Sequence, residues 1–249
     1  MTGVKGKTVL ITGGGTGLGA DMAARFAEAG ARVWIAGRTA STLQKAAEAH
    51  AGIHTAEADV TDETSVAALF DFIDTPDIVI ANAGASASAP FTRTDLATWQ
   101  AMIDVNLTGV FLTFREALRR LDKPSWARLI AVASTAGLKG YGYVAPYAAA
   151  KHGVVGLVRS LAQETAKTGV TVNALCPGFL DTEMTDRSIA NIVEKTGMDA
   201  AKARANLERM SPQQRLIRPE EVTAAALWLC APGAEGITGQ AISISGGET

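Results

Sequence analysis

Short, nearly continuous apolar runs alternate with longer Ala- and Leu-rich stretches of helical period from one end of the chain to the other. No other feature restricts the possible fold as much. The apolar runs are Thr8–Thr12, Arg32–Ala36, Ile53–Ala56, Ile78–Ala81, Arg128–Ala133, Thr171–Leu175 and Ala241–Ile244. A strand that shows no polar face is one buried on both sides, as in a parallel sheet covered by helices above and below. The intervening stretches Gly17–Ala29, Ser41–Ala49, Asp62–Phe72, Leu96–Leu121, Pro146–Thr168 and Pro219–Leu229 supply that cover and the right-handed crossovers. The expected class is α/β: a doubly wound parallel sheet of about seven strands with helices on both faces. At 249 residues, 47% of them hydrophobic, the chain can bury a substantial core. No linker, repeat or low-complexity tract divides it, so 1–249 is read as a single domain. The least regular stretch lies between Gly178 and Pro219, and about 180–212 is the expected lid over a site at the carboxyl edge of the sheet.

Directly after the first strand comes Thr12-Gly13-Gly14-Gly15-Thr16-Gly17-Leu18-Gly19, opening a helix. Glycines at a strand–helix junction let a pyrophosphate approach the backbone, and the helix N-terminus offers free N–H groups and a favourable dipole. A flexible turn without a ligand is the plainer reading, but the strand–turn–helix context makes this a dinucleotide-binding, Rossmann-type fingerprint. The second strand ends in Gly37-Arg38, without the carboxylate that would receive an adenosine 2′-hydroxyl. Arg38 offers a planar fork to a 2′-phosphate, with Thr39 and Ser41 as further hydroxyl donors. NADP(H) is therefore favoured, with NAD(H) as the alternative and a solvent-facing Arg38 as the plainer reading.

Tyr147 and Lys151 stand four residues apart, on one face of a helix. A free phenol has a pKa of about 10 and is a poor acid–base group at neutral pH. A neighbouring ammonium favours the phenolate, so the pairing is expected to lower the Tyr147 pKa. Such a pair on a helix surface usually means no more than two exposed side chains. Ser134 upstream and the glycine turn give it catalytic meaning.

With Asp59-Val60, Ala81-Asn82-Ala83-Gly84, Asn106 and Pro177-Gly178 added, the chain resembles the short-chain dehydrogenase/reductase family over its whole length. The resemblance implies a role for each position. Tyr147 would protonate the carbonyl oxygen during reduction and act as the base in reverse; Ser134 would hydrogen-bond the same oxygen. Lys151 would bind the nicotinamide ribose, and Asn106 would anchor a water relaying protons to it. The cofactor would be bound by Gly13, Gly15, Thr16, Gly17, Leu18, Gly19, Arg38, Asp59, Val60, Asn82, Ala83, Gly84, Tyr147, Lys151, Pro177, Gly178 and Thr182. The sequence departs from the family at two places. Ala81-Asn82 stands for the usual asparagine pair, and Thr16 stands where many NADP-preferring members carry a basic residue. The first is expected to be tolerated; the second weighs against NADP(H).

Ser86, Leu138, Tyr141, Tyr143, Phe179 and Met184 are expected to line the substrate pocket. They are mainly small, apolar or aromatic, and no arginine is placed to clamp a carboxylate, which suits a carbonyl flanked by apolar groups. The stretch Pro146–Thr182 resembles the 3-oxoacyl-thioester and polyketide ketoreductase branch. That implies reduction of a 3-oxoacyl group to the 3-hydroxyacyl form. A dehydrogenase of a secondary alcohol, sugar or steroid is the alternative, and a non-catalytic dinucleotide sensor is the reading from a different class.

Other readings are negative or structural. A net charge of −2 gives no support for nucleic acid or an anionic membrane as partner. No apolar run approaches the roughly 20 residues that span a bilayer. The first strand starts too early for a signal peptide, so a cytoplasmic location is expected. Cys176 and Cys230 are read as reduced, buried thiols. His50 and His54 lack a third partner, so no metal site is expected. His152 points away from the Tyr147 face, and Lys139 is read as solvated or as a contact for a phosphate on a bulky substrate. Trp34, Trp99, Trp126 and Trp228 are taken as core or subunit contacts. The apolar excess at Val154, Val155, Leu157, Val158 and Leu161 suggests a helix-bundle interface or a helix well buried in its own subunit; the resemblance implies a homotetramer or homodimer.

Overall fold

A computed structural model of the protein describes residues 3–73, 75–121 and 126–249. Its centre is one seven-stranded sheet, parallel throughout, with β1 (Thr8–Thr12), β2 (Arg32–Gly37), β3 (Ile53–Glu57), β4 (Ile78–Ala81), β5 (Ala127–Val132), β6 (Val170–Pro177) and β7 (Ala241–Ile244) in the order β3-β2-β1-β4-β5-β6-β7. Helices α1 (Gly17–Glu28), α2 (Ala40–Ala47), α3 (Glu63–Phe72), α4 (Leu96–Ile103), α5 (Gly109–Arg120), α6 (Ala145–Thr165), α7 (Glu183–Thr196), α8 (Ala200–Glu208) and α9 (Pro219–Leu229) connect and cover the strands.

Successive strand residues point to opposite faces, and both faces are dry. Leu10, Val79, Ala81, Leu129, Ala131, Val172 and Ala174 pack under α3, α5 and α6, whereas Val9, Ile11, Val33, Ile35, Ile78, Ile80 and Ile130 pack under α1, α2 and α9. Val154, Val155 and Val158 of α6 belong to the first of these cores, and only Leu157 and Leu161 remain partly exposed. Three of the five residues suggested as an interface are thus spent inside the subunit. Helix starts follow local chemistry: Asp62, Asp95 and Asp199 cap α3, α4 and α8 by accepting from Thr64, Thr98 and Lys202 N–H groups.

The stretch read as one helix over Leu96–Leu121 is α4 and α5 joined by a π-helical turn at Asp104–Thr108. Asn106 lies in that turn, fully buried, and its side-chain amide donates to the Met102 carbonyl (3.0 Å) one turn back. A π turn carries one residue more than an α turn, and that single-residue slip has no residue-type signature of its own. Beyond β6 the chain makes the excursion anticipated from its irregular composition. Its two stems meet where Asp181 N–H donates to the Ile217 carbonyl and Ile217 N–H to the Phe179 carbonyl, each at 2.9 Å. Helices α7 and α8 enclose a small core of Ile189, Ala203, Leu207 and Leu216, with Phe179, Ile192, Val193 and Met198 around it.

Candidate active site

The chain runs outward from β1 to β3 and then returns to place β4 on the other side of β1, so a crevice opens at the carboxyl ends of β1 and β4. The glycine turn fills its floor. Gly13 adopts φ +65°, and a Cβ there would lie 2.8 Å from the Ala83 Cα; at Gly19 it would run into the Gly13 carbonyl and lie 2.6 Å from Asn82 Nδ2. Asn82 braces this turn: its amide donates to the carbonyls of Thr12 (3.0 Å) and Gly13 (3.1 Å), and the Thr12 hydroxyl accepts from the N–H groups of Asn82 and Ala83. Asn82 alone makes these brace contacts, with Ala81 in β4 beside it. Substituting Gly19 by Ala is therefore expected to cost about 1–3 kcal/mol of stability and to weaken dinucleotide binding; thermal unfolding and fluorescence titration check both.

Above the turn, α1 begins at Gly17 with Thr16 as N-cap. Thr16 makes no side-chain capping bond and no acidic residue occupies the first turn, so the helix end is suited to an anion. Thr182, N-cap of α7, stands opposite, 3.5 Å from where a Gly17 Cβ would be. These residues form a cradle that fits a pyrophosphate. Arg38 is exposed at the end of β2 and, among the described residues, makes no hydrogen bond or ion pair. The Asp59 carboxyl is held below its ordinary range by the Thr61 backbone and hydroxyl, with a smaller contribution from Arg38. Val60 is buried against Gly109 at the start of α5.

On the far side of the crevice, Ser134 lies two residues beyond β5, capping the short turn Thr135–Gly137, and Tyr147 and Lys151 lie on α6, which enters with Pro146 in its first turn. Ser134 lies close enough to the Tyr147 phenol to favour its ionised form, and the Lys151 ammonium lies 5.6 Å from the Tyr147 ring centroid. Lys151 is 3% exposed and donates to the Val132 carbonyl at 2.8 Å. Burial pulls its pKa down to about 8. Burial also pushes the Tyr147 phenol above its ordinary value, against the opposing influence of Ser134. The expected lowering of the phenol by Lys151 is not found in this structure: burial, which takes the charged form out of water, dominates. Asn106 Oδ1 and Lys151 Nζ both border Gly84, at 2.8 and 3.7 Å from its Cβ position. Asn106 is fixed by Ala85, donating to its carbonyl at 2.9 Å and accepting from its N–H at 3.3 Å.

The expected pocket residues separate. Tyr141 lies within electrostatic reach of Tyr147. Leu138 leans on the α6 core, Phe179 on the small core of the excursion. Ser86, Met184 and Tyr143 are exposed, and Tyr143, at φ +69°, offers its carbonyl to Ala89 N–H at 2.9 Å. The excursion reaches the same rim through Asn191 and Lys195, which donate to the Ser88 hydroxyl and carbonyl at 2.9 Å each. Pro177 and Gly178 close the carboxyl end of β6, and Gly178 packs against Ser245 and Glu248. Glu248 carries no sequence signal: it is a lone acid at the penultimate position of the sequence. Its side chain is only 3% exposed, and it pairs with Lys139 at 3.1 Å. Lys139 is thus engaged and not simply solvated.

Several residues set aside in the sequence have plain partners. His50 Nδ1 accepts from Gly52 N–H, His54 packs on Trp34, and His152 hydrogen-bonds the Ala148 carbonyl. Cys176 and Cys230 are free buried thiols pushed up by burial to about 11 and about 12. No helix among the described residues is long and apolar enough to cross a membrane.

Comparison with known proteins gives a consistent result. Residues 7–192 match the family model described as short chain dehydrogenase. The chain is 33% identical to the 3-oxoacyl-[acyl-carrier-protein] reductase of Aquifex aeolicus, covering 98% of each chain. It is 36% identical to a 3beta-hydroxysteroid dehydrogenase of Eggerthella lenta, over 99% of this chain and 95% of that one. A solved structure of an actinorhodin polyketide ketoreductase variant with NADPH superposes with a TM-score of 0.89 at 30% identity, covering 98% and 97% of the two chains.

Proposed function

The chain belongs to the short-chain dehydrogenase family, an oxidoreductase acting on CH–OH and C=O groups, and from that premise we propose that it is an NADP(H)-dependent reductase of 3-oxoacyl thioesters. The observation that carries this reading is the meeting of Ser134, Tyr147 and Lys151 beside a glycine cradle at the switch point of the sheet. The nicotinamide, when bound, supplies or accepts the hydride. Gly13, Gly15, Thr16, Gly17, Leu18 and Gly19 cradle the pyrophosphate, braced by Asn82 and Ala83. Asp59 and Val60 flank the adenine, Arg38 takes the 2′-phosphate, and Pro177, Gly178 and Thr182 border the nicotinamide.

As negative charge builds on the substrate oxygen, Ser134 hydrogen-bonds it and Tyr147 gives it a proton. Burial keeps Tyr147 in its protonated form, the form that reduction needs. Lys151 holds the ribose hydroxyls, and Asn106, next to Lys151 across Gly84, anchors the water that returns the proton from solvent. Tyr141, Leu138, Tyr143, Ser86, Phe179 and Met184 form the walls around the acyl chain, and residues about 180–212 act as a lid on the single domain 1–249. The exposed pocket wall also suits a bulky secondary alcohol, and the steroid dehydrogenase relative supports that second reading. Exposed Phe111 and Trp228 support a homotetramer or homodimer, and the two free thiols support a cytoplasmic location.

Titration with NADPH and NADH, followed by turnover of an acetoacetyl thioester, tests the proposal. Preferential NADPH binding with turnover is the expected result. Binding without turnover of the thioester sinks the substrate assignment and moves the search to secondary alcohols.

A further inference from the structure

The last residues of the chain fold back onto the pocket wall. Gly246 and Gly247 take positive φ, Glu248 N–H donates to the Ser245 hydroxyl at 3.1 Å, and the Glu248 side chain turns inward. Its Oε1 accepts from the Tyr141 phenol at 2.6 Å, and that phenol in turn accepts from the Thr135 hydroxyl at 2.6 Å, next to Ser134. Its Oε2 lies 3.4 Å from the Cβ position of Gly178, at the carboxyl end of β6. The carboxylate therefore stands between the Tyr141 wall and the β6 terminus.

We propose that Glu248 is a specificity-determining residue that excludes substrates carrying a carboxylate beside the reacting carbonyl and admits neutral esters, thioesters and ketones. The inference rests on the carbonyl-reductase reading and deepens it. A desolvated carboxylate acts at close range with little screening, whereas its counter-charge on Lys139 sits on a side chain 40% exposed and is diluted by solvent. The two members of the pair are therefore unequal as seen from the pocket. Lys139 is also the cation of the wall that carries Leu138, Tyr141 and Tyr143, and Glu248 already occupies it. A substrate carboxylate entering here meets a like charge and finds this ammonium engaged, which is rejection by repulsion.

The test uses Glu248→Gln, which keeps an acceptor for Tyr141 and removes the charge, in the enzyme saturated with whichever nicotinamide cofactor it binds. Butyrate and butyramide binding are followed by cofactor fluorescence, and acetoacetate and ethyl acetoacetate by turnover. Wild type is expected to bind butyramide more tightly than butyrate. The substitution should raise the affinity for butyrate by about tenfold and leave butyramide unchanged. In turnover, KM for acetoacetate should fall with kcat unchanged, while ethyl acetoacetate is unaffected. Equal wild-type affinity for butyrate and butyramide, or an unchanged ratio in the variant, overturns the proposal. The binding measurement needs no turnover, so absence of reduction counts against the substrate reading and not against Glu248. If the variant does not fold by thermal melting, the wild-type butyrate and butyramide comparison decides alone.

Discussion

Tyr147→Phe is expected to lower both carbonyl reduction and alcohol oxidation by about 10³-fold, the range of a positioned general acid–base group. The substitution removes one oxygen and keeps the ring on α6, and the glycine cradle lies on other elements, so cofactor binding should lose no more than the contact of that one hydroxyl. The wild-type pH profile has a definite sign. Reduction needs the protonated phenol and oxidation the phenolate, and burial raises the phenol above its ordinary value. Reduction should hold through neutral pH and decline on the alkaline side, while oxidation climbs with pH. Both limbs should disappear in the variant. Single-turnover kinetics with a slow substrate isolate the chemical step. Full turnover by Tyr147→Phe, or a flat profile for a rate-limiting chemical step in wild type, would remove Tyr147 from its assigned role.

Arg38→Asp is expected to move the NADPH:NADH ratio of kcat/KM toward NADH by about 100-fold, combining a lost charge-assisted contact with a new repulsion. Arg38 is suited to such a change because it is exposed and, among the described residues, bonded to nothing. Neither the sheet nor a helix cap depends on it, so the melting temperature should barely move. Asp59, the acid in its electrostatic neighbourhood, loses a weak stabiliser and should titrate slightly higher. Steady-state kinetics with both cofactors give the ratio directly. An unchanged ratio would show that Arg38 does not read the phosphate and would leave Thr16, the non-basic turn residue, as the better guide to cofactor choice.

Much of this protein was legible before any coordinates, because the relevant signals are periodic or local. Apolar strands of uniform character dictated a parallel sheet; β1, β4, β7 and α9 lie at the residues expected of them. The glycine turn declared itself by spacing, since Gly13 and Gly19 have no room for a side chain. The Tyr147–Lys151 pair needed only the pitch of a helix. Other features depend on residues far apart in the chain. The π turn at Asp104–Thr108 needs the Asn106 amide seated against Met102 and Ala85. The fate of Val154, Val155 and Val158 depends on which sheet face receives α6. Whether the Tyr147 phenol is lowered or raised depends on how deeply it is buried. Glu248 and Tyr141 are 107 residues apart and meet only because β7 lies beside β6. Sequence fixes what repeats along the chain or acts within a few residues. Burial, and the charge pairs it strengthens, are set by elements that meet only once the sheet has formed.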